Sequence, residues 1–448
     1  MTAVGPVTPV AAAARLRGQP GRVLCHAAAD VVPGRGSVVA AWPWATLTVW
    51  PDRLEWGAGG VATVERGDPV AAIGRFLDAH AGPLAAAGPR TPRVVGYLAY
   101  DLGRAVERLG PRPPGPPVPD AWLAAYPALA WWPAGAATPT LVGDDAVAIA
   151  RLAAAISAGP DVPGPPLWLG LATATQRRPP TIAARRHPRA ARRATSTRSF
   201  RRATWPHRSR RAGRRAGAVR GARRGGAGGL RRPAEAGPVT VVSVARVLLP
   251  GRRPAGDRAD QGHRPRAAAA DVDAAAAASW RSTPKDAAEH LMIVDLERND
   301  LGRIAEVGSV AVDELGKVVA LPTVFHLVST VSARPRPGLT WAALVRATFP
   351  GGSITGAPKV RAMQLIDQLE PVARGAYCGA LGWFGTGGGL DLAIAIRIAQ
   401  LTADNLAIHV GGGIVFDSEP AAELAETDDK AAAWRAALAR LTAPGAPA

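Results

Sequence analysis

Apolar residues recur along this chain with two distinct periods. From Lys285 to Arg298, Ala288, Leu291, Met292 and Leu296 fall three or four apart, the spacing that gathers side chains on one helix face. The same period predicts helices at Pro69–His80, Trp341–Thr348, Lys359–Leu369 and Pro420–Leu441, with Val360, Met363, Leu365 and Ile366 turned inward on the fourth. The Lys359 helix follows a proline, a common way to start one. Short apolar or alternating runs predict strands at Val38–Trp42, Ala45–Trp50, Arg93–Tyr100, Val318–Val331, Tyr377–Phe384, Leu390–Ala399 and Leu406–Val415, with Asp404 and Asn405 turning between the last two. Long strands joined by hairpins with helices interspersed predict an α+β fold built on large antiparallel sheets.

This patterning divides the chain into three parts. Residues 1–172 and 267–448 carry periodic segments, whereas residues 173–266 lack hydrophobic period over most of their length. No internal repeat is present, and no window reaches the roughly 20 uninterrupted apolar residues of a membrane span. The first residues lack the basic start and long apolar stretch of a secretory signal. With two cysteines, Cys25 and Cys378, far apart in sequence, no disulfide framework is implied. The expectation is a cytoplasmic protein.

Charge changes the picture only through its location. The formal net charge is +19, which by itself would suggest a nucleic-acid or anionic-membrane partner. Residues 177–266 hold 26 Arg, no Lys and three acids, so the remainder of the chain is mildly acidic. The Arg-rich segment is open to three readings: an RNA-binding insert, a solvated linker, or a stretch translated out of frame. Shifted GC-rich codons yield Arg, Ala, Gly and Pro and almost never Lys. The absence of Lys therefore favours the third reading.

Several motifs carry chemistry. Glu289–Arg303 resembles the "E-N-L-M-I-V-D-L-x-R-N-D-L-G-R" of the chorismate-binding enzymes, the family of aminodeoxychorismate and anthranilate synthase large subunits. Phe325–Ser329 resembles its "H-L-x-S" strand, and Phe349–Lys359 its glycine-rich signature loop. Gly411–Ser418 and Glu423–Thr427 complete a resemblance over about 160 residues of the C-terminal part. More weakly, Val95–Arg104 is similar to the "G-Y-L-x-Y-E-L-G-R" of the aminodeoxychorismate branch, with Asp101 at the Glu position. The resemblance implies an anthranilate-synthase-component-I-like fold: two large antiparallel sheets face to face, helices outside, both chain halves in each sheet.

The family also carries "P-I-K-G-T" and "S-P-E-x-F", and neither is present. GC-ending codons for P-I-K-G-T, read one base early, give Ala259–His263 as they stand. The same shift turns an S-P-E-containing stretch into Val244–Gly251. Normal reading resumes between His263 and Trp280, and the hidden motif carries Lys, as in the aminodeoxychorismate branch. The shifted segment is expected to be irregular and loosely packed.

The resemblance implies a reaction of chorismate with ammonia, supplied by a glutamine amidotransferase partner, giving 4-amino-4-deoxychorismate for para-aminobenzoate and folate synthesis. Anthranilate synthase is the alternative within the family. The P-I-K-G-T lysine would act as nucleophile and the S-P-E glutamate as general acid. Without them, the chain as written is expected to be impaired in chemistry. Glu289 and Glu426 match the family's Mg²⁺ ligands, consistent with that ion's preference for carboxylate oxygens, and Glu423, three residues earlier on the same helix face as Glu426, is a candidate either to join them or to support them. As a Lewis acid, the ion would supply an electron sink at the ring carboxylate. Arg397, set in the apolar run Ala393–Ile398, suits a substrate carboxylate. Gly411, Gly412 and Gly413 would let backbone N–H groups approach an anion. Thr355 and Lys359, at a glycine-rich loop entering a helix, would add hydrogen bonding and positive charge. His326 matches the family histidine beside the reacting hydroxyl and is a proton-transfer candidate. Trp383 stands where the family usually has Tyr, in contact with substrate.

Overall fold

A computed structural model describes residues 4–26, 36–84, 90–115, 117–158, 171–175, 195–203, 239–241, 255–265, 284–320, 324–396, 398–401, 406–414 and 418–442. The N-terminal part contains α1 (Pro9–Arg15), β1 (Val23–Cys25), β2 (Ser37–Ala40), β3 (Ala45–Val49), β4 (Leu54–Ala58), β5 (Val61–Glu65) and α2 (Pro69–His80). It continues through β6 (Pro92–Leu98), a 3-10 helix (Tyr100–Ala105), β7 (Ala121–Ala125), β8 (Ala128–Trp132), β9 (Thr140–Gly143) and α3 (Ala146–Ser157). The middle contributes strands β10 (Leu171–Thr175), β11 (Thr195–Ala203), β12 (Val239–Val241) and β13 (Ala255–Pro265). The C-terminal part begins with α4 (Pro284–Gly302), β14 (Ala311–Ala320), β15 (Val324–Ala333), α5 (Trp341–Thr348), α6 (Gly352–Thr355) and α7 (Lys359–Leu369). It ends with β16 (Ala380–Gly385), β17 (Leu390–Ile394), β18 (Ile398–Leu401), β19 (Leu406–Gly413) and α8 (Pro420–Thr442).

Strand pairing makes the two halves of the chain one structure. A seven-stranded sheet runs β17-β16-β6-β7-β3-β4-β5, so β16 and β17 from the C-terminal part extend an N-terminal sheet. A five-stranded sheet, β10-β11-β19-β18-β12, likewise mixes middle and C-terminal strands. The remaining sheets are β1-β2-β8-β9 and β13-β15-β14. All the pairings are antiparallel. The fold is α+β, and among the described residues its strands form four hydrogen-bonded sheets.

Side-chain alternation with period two assigns each sheet face. Val94 and Leu98 of β6, Leu123 of β7 and Phe384 of β16 face one way, into a core with Phe76 and Leu77 of α2, Ile293 and Val294 of α4, and Trp341 of α5. Val95, Ala124 and Trp383, one residue out of phase, meet Val38 and Ala40 of β2 and Leu129 on the opposite face. Val39, between those two β2 residues, turns outward to Ala12 and Leu16 by α1 and to Leu152 and Ile156 of α3. The layers are therefore helices, seven-stranded sheet, four-stranded sheet, helices.

Local signals explain the helix starts. Asp68 caps α2 through Val70 N–H and Ala71 N–H, with Pro69 at its first position. Thr340 caps α5 through Ala343 N–H. Four expectations need correction. The single strand foreseen at Val318–Val331 is a hairpin, β14 and β15. The run Leu390–Ala399 breaks after Ile394, so that β17 and β18 belong to different sheets. Val360 is half exposed, while Met363, Leu365 and Ile366 are buried. Where irregular chain was expected, Thr195–Ala203, Val239–Val241 and Ala255–Pro265 form paired strands. Ladder hydrogen bonds use backbone groups that every residue but proline supplies in full, so a strand can form there whatever the side chains. Residues 177–194, 204–238 and 242–254 of the Arg-rich segment, Val244–Gly251 among them, lie outside the described residues. Among the described residues, no helix is long and apolar enough to cross a membrane.

Candidate active site

Helix α4 carries the first motif and touches two of the others, the Phe325–Ser329 strand and the signature loop. His290, buried, approaches the Ser329 hydroxyl of β15 (Nε2···Oγ 2.5 Å). One face further along, the Glu297 carboxylate accepts from the Ser353 N–H at 3.0 Å, and Asp300 accepts from Lys359 Nζ at 2.5 Å. Arg303 donates to the Ala347 carbonyl. Glu297 and Asp300, one turn apart, thus hold the middle and the C-terminal end of the signature loop. The approach is so close that a Cβ added to Gly352 would stand 2.7 Å from Leu296 Cβ.

The N-terminal motif closes on the loop from the other side. A Cβ on Gly103 would meet Pro350 Cγ at 2.8 Å and Met363 Cε at 2.9 Å. Asp101 accepts from Gly375 N–H at 2.8 Å, Arg104 pairs with Asp367 of α7, and Arg112 bridges Asp101 and Asp120. Burial pushes the Asp120 carboxyl up to about 6 against the opposing pull of Arg112.

A buried polar chain links the signature loop to the glycine run. Arg374 donates to the Ile354 carbonyl at 3.2 Å and holds Glu370 at 2.6 and 3.0 Å, while its guanidinium lies 4.5 Å from the Tyr100 ring. Gln400 donates to the Arg374 carbonyl (3.1 Å), accepts from Ala376 N–H and meets His409 Nδ1 at 3.1 Å. His409 stacks on Tyr377 and lies on β19 two residues before Gly411.

The expected site residues distribute as follows. Thr355 turns its hydroxyl back onto the carbonyls of Gly351 and Gly352, satisfying its own short helix. Lys359, expected to face a substrate carboxylate, is paired with Asp300. Gly411, Gly412 and Gly413 pair with Thr197, Ser196 and Thr195 of β11. Glu423, buried, accepts from the Ser418 hydroxyl at 2.5 Å, and a Cβ on Gly412 would lie 3.4 Å from its Oε2. Glu426, one turn on and half exposed, pairs with Lys430 at 2.6 Å, and Lys430 also reaches the Gly411 carbonyl. Glu423 and Glu426 thus come together beside the glycine run, and their oxygen donors suit Mg²⁺. Among the described residues, no group of three or more His, Cys, Asp or Glu is arranged to hold a metal. Glu289 lies on α4 beside His290, and His326 on β15 opposite His263, but the side chains of both are outside the described set. Arg397 and the turn at Asp404–Asn405 also lie outside it. Trp383 packs in the apolar layer between the sheets with Val38, Val95, Tyr126 and Leu129. Sheet parity turns it there, so its described surroundings are those of a core residue.

Sequence reasoning missed His290, Glu297, Asp300, Arg374, Gln400 and His409. The first three lay inside a motif already singled out, at helical spacing that places acids on one face. Arg374 had one signal, a lone charge in an otherwise uncharged run from Pro371 to Gly382.

Known proteins resemble the chain in sequence over its C-terminal part and in fold over nearly its whole length. Residues 261–436 match the chorismate binding enzyme family. Aminodeoxychorismate synthase component 1 of Klebsiella aerogenes is 54% identical over 170 residues, 38% of each chain. Anthranilate synthase component 1 of Pseudomonas putida is 47% identical over 178 residues, 40% of this chain and 36% of that one. The matched stretch thus spans less than half the length of these curated relatives. In structure, anthranilate synthase component I from Streptococcus pneumoniae superposes with a TM-score of 0.68 at 25% identity, covering 95% of this chain and 96% of that one. The menaquinone-specific isochorismate synthase of Escherichia coli shares the fold, with a TM-score of 0.59 at 16% identity over 94% and 95% of the two chains. Residues 261–436 are a chorismate-binding-enzyme domain, set in a fold shared with anthranilate synthase component I.

Proposed function

We propose that this chain is the chorismate-aminating component of an aminodeoxychorismate synthase, and that its gene is read out of frame across the Arg-rich segment. The observation that carries the reading is the convergence on α4: this one helix holds the signature loop through Glu297 and Asp300 and the His326 strand through Ser329. Chorismate is a dicarboxylate, and the loop ending at Lys359 offers a cation at a helix N-terminus. Strand β13 adds a second support. It runs beside β15 with Gln261 opposite Leu327 and His263 opposite His326. Gln261 occupies the position of the frame-restored lysine, so restoration would set a nucleophile next to the His326 pair.

Glu423 and Glu426, with Glu289 from α4, are the residues that would hold Mg²⁺, which would draw electron density from the ring carboxylate as the hydroxyl leaves. Ser418 orients Glu423 for that role. A glutamine amidotransferase partner would supply ammonia.

The test compares the chain as written with a version in which the frame is restored across residues 174–266. With chorismate, ammonia and Mg²⁺, the restored protein should form 4-amino-4-deoxychorismate, and the chain as written should not. Anthranilate as product would move the assignment to the other branch. Turnover by the unrestored chain would refute the frame argument.

A further inference from the structure

We propose that Asp300 is a positioning residue that holds Lys359 until a substrate carboxylate takes it, and that it accepts a proton from solvent as the lysine leaves. This rests on the assignment of the signature loop to a carboxylate of chorismate.

The Asp300 side chain is 3% exposed and that of Lys359 12%, so both charges are largely withdrawn from water. Asp300 Oδ2 takes the Lys359 ammonium, while Oδ1 has no hydrogen-bond partner among the described residues. The charged groups facing Asp300 are Lys359 from α7, Glu297 from its own helix and Arg303 from the turn that follows that helix. Glu297 is also buried and is occupied by the Ser353 N–H. Two buried carboxylates therefore lie near one another, with Lys359 the cation that directly contacts Asp300.

An incoming carboxylate at the loop competes for that ammonium. If Lys359 turns to the ligand, Asp300 is left as a buried anion beside a second carboxylate, which is costly unless it neutralises. Burial already pushes its carboxyl up to about 7, with Lys359 opposing the rise and Glu297 adding to it. Withdrawal of the lysine removes the opposing influence, so the ligand-bound protein keeps Asp300 protonated to higher pH. The neutral carboxyl gains an O–H donor while the ligand gains the ammonium. Anion binding is thereby linked to proton uptake.

The experiment is calorimetric titration of chorismate into the full chain, in pairs of buffers with different ionisation heats, at pH 6, 7 and 8. With a free-state midpoint of about 7, uptake should be small at pH 6, roughly half a proton at pH 7 and close to one at pH 8. Asp300→Asn should abolish the uptake while still binding chorismate. Uptake unchanged in Asp300→Asn, or absent at every pH, overturns the proposal. A separate measurement follows the Asp300 carboxyl carbon by NMR in the ligand-free chain. It should titrate near neutrality, and higher still in Lys359→Met. Titration at an ordinary carboxylate pH overturns the proposal whether or not chorismate binds. Elevated titration without any chorismate binding would overturn the exchange by removing the carboxylate assignment, and so locates the failure there.

Discussion

Replacing Glu370 by Gln should destabilise this fold out of proportion to the single heavy atom changed. Arg374 is fully buried and Glu370 nearly so, and they share two hydrogen bonds of 2.6 and 3.0 Å. Glu370→Gln keeps the shape and leaves the guanidinium without its counter-charge. Removing one partner of a buried pair costs about 3–5 kcal/mol, because the remaining charge is left uncompensated. At about 1.4 kcal/mol per decade, that is a hundredfold to several-thousandfold change in the folding equilibrium. The Ile354 carbonyl and the Tyr100 ring still receive the guanidinium and recover only a fraction of this. Arg374→Met with Glu370→Leu removes both charges; it should cost less than Glu370→Gln, losing mainly the Ile354 hydrogen bond, about 1–2 kcal/mol. Urea unfolding at neutral pH, with midpoints compared at equal slope, measures all three. Unfolding of Glu370→Gln within about 1 kcal/mol of the parent, or a double replacement more damaging than the single one, would show that Arg374 does not depend on the Glu370 charge.

Three further outcomes follow from the same contacts. Gly352→Ala forces a methyl to within 2.7 Å of Leu296 Cβ and should separate the signature loop from α4 at a cost of about 1–3 kcal/mol, seen as lower stability and weaker chorismate binding; unchanged values would mean that the loop is not clamped. Asp120 ionises at about 6 when folded against 3.8 as its ordinary value, so the folded state holds the extra proton and its contribution to stability is lost as pH rises through about 6. Asp120→Asn should remove up to about 3 kcal/mol of that slope between pH 4 and 6, and an identical pH profile for the two proteins would contradict it. Ser418→Ala should weaken Mg²⁺ binding about tenfold in the presence of chorismate by freeing Glu423 to rotate; an unchanged titration would separate Glu423 from the metal.

What the sequence determined by itself was local. The caps at Asp68 and Thr340 and the apolar period set the boundaries of α2 and α5. The motifs marked α4, the signature loop and the Glu423–Glu426 helix, because residue type and spacing express chemistry directly. It also exposed the mismatch between the Arg-rich segment and its flanks. Only the tertiary structure decided who meets whom. That β16 joins β6, nearly three hundred residues away, depends on a register no local pattern contains. Trp383 could not be placed without knowing which face of the seven-stranded sheet meets the four-stranded one. The partnership of Lys359 with Asp300 was likewise hidden: each lies in a readable motif, but an ion pair across two helices depends on how they pack. Charge on a sequence marks a residue as needing a partner, and burial in the folded chain determines which partner it finds.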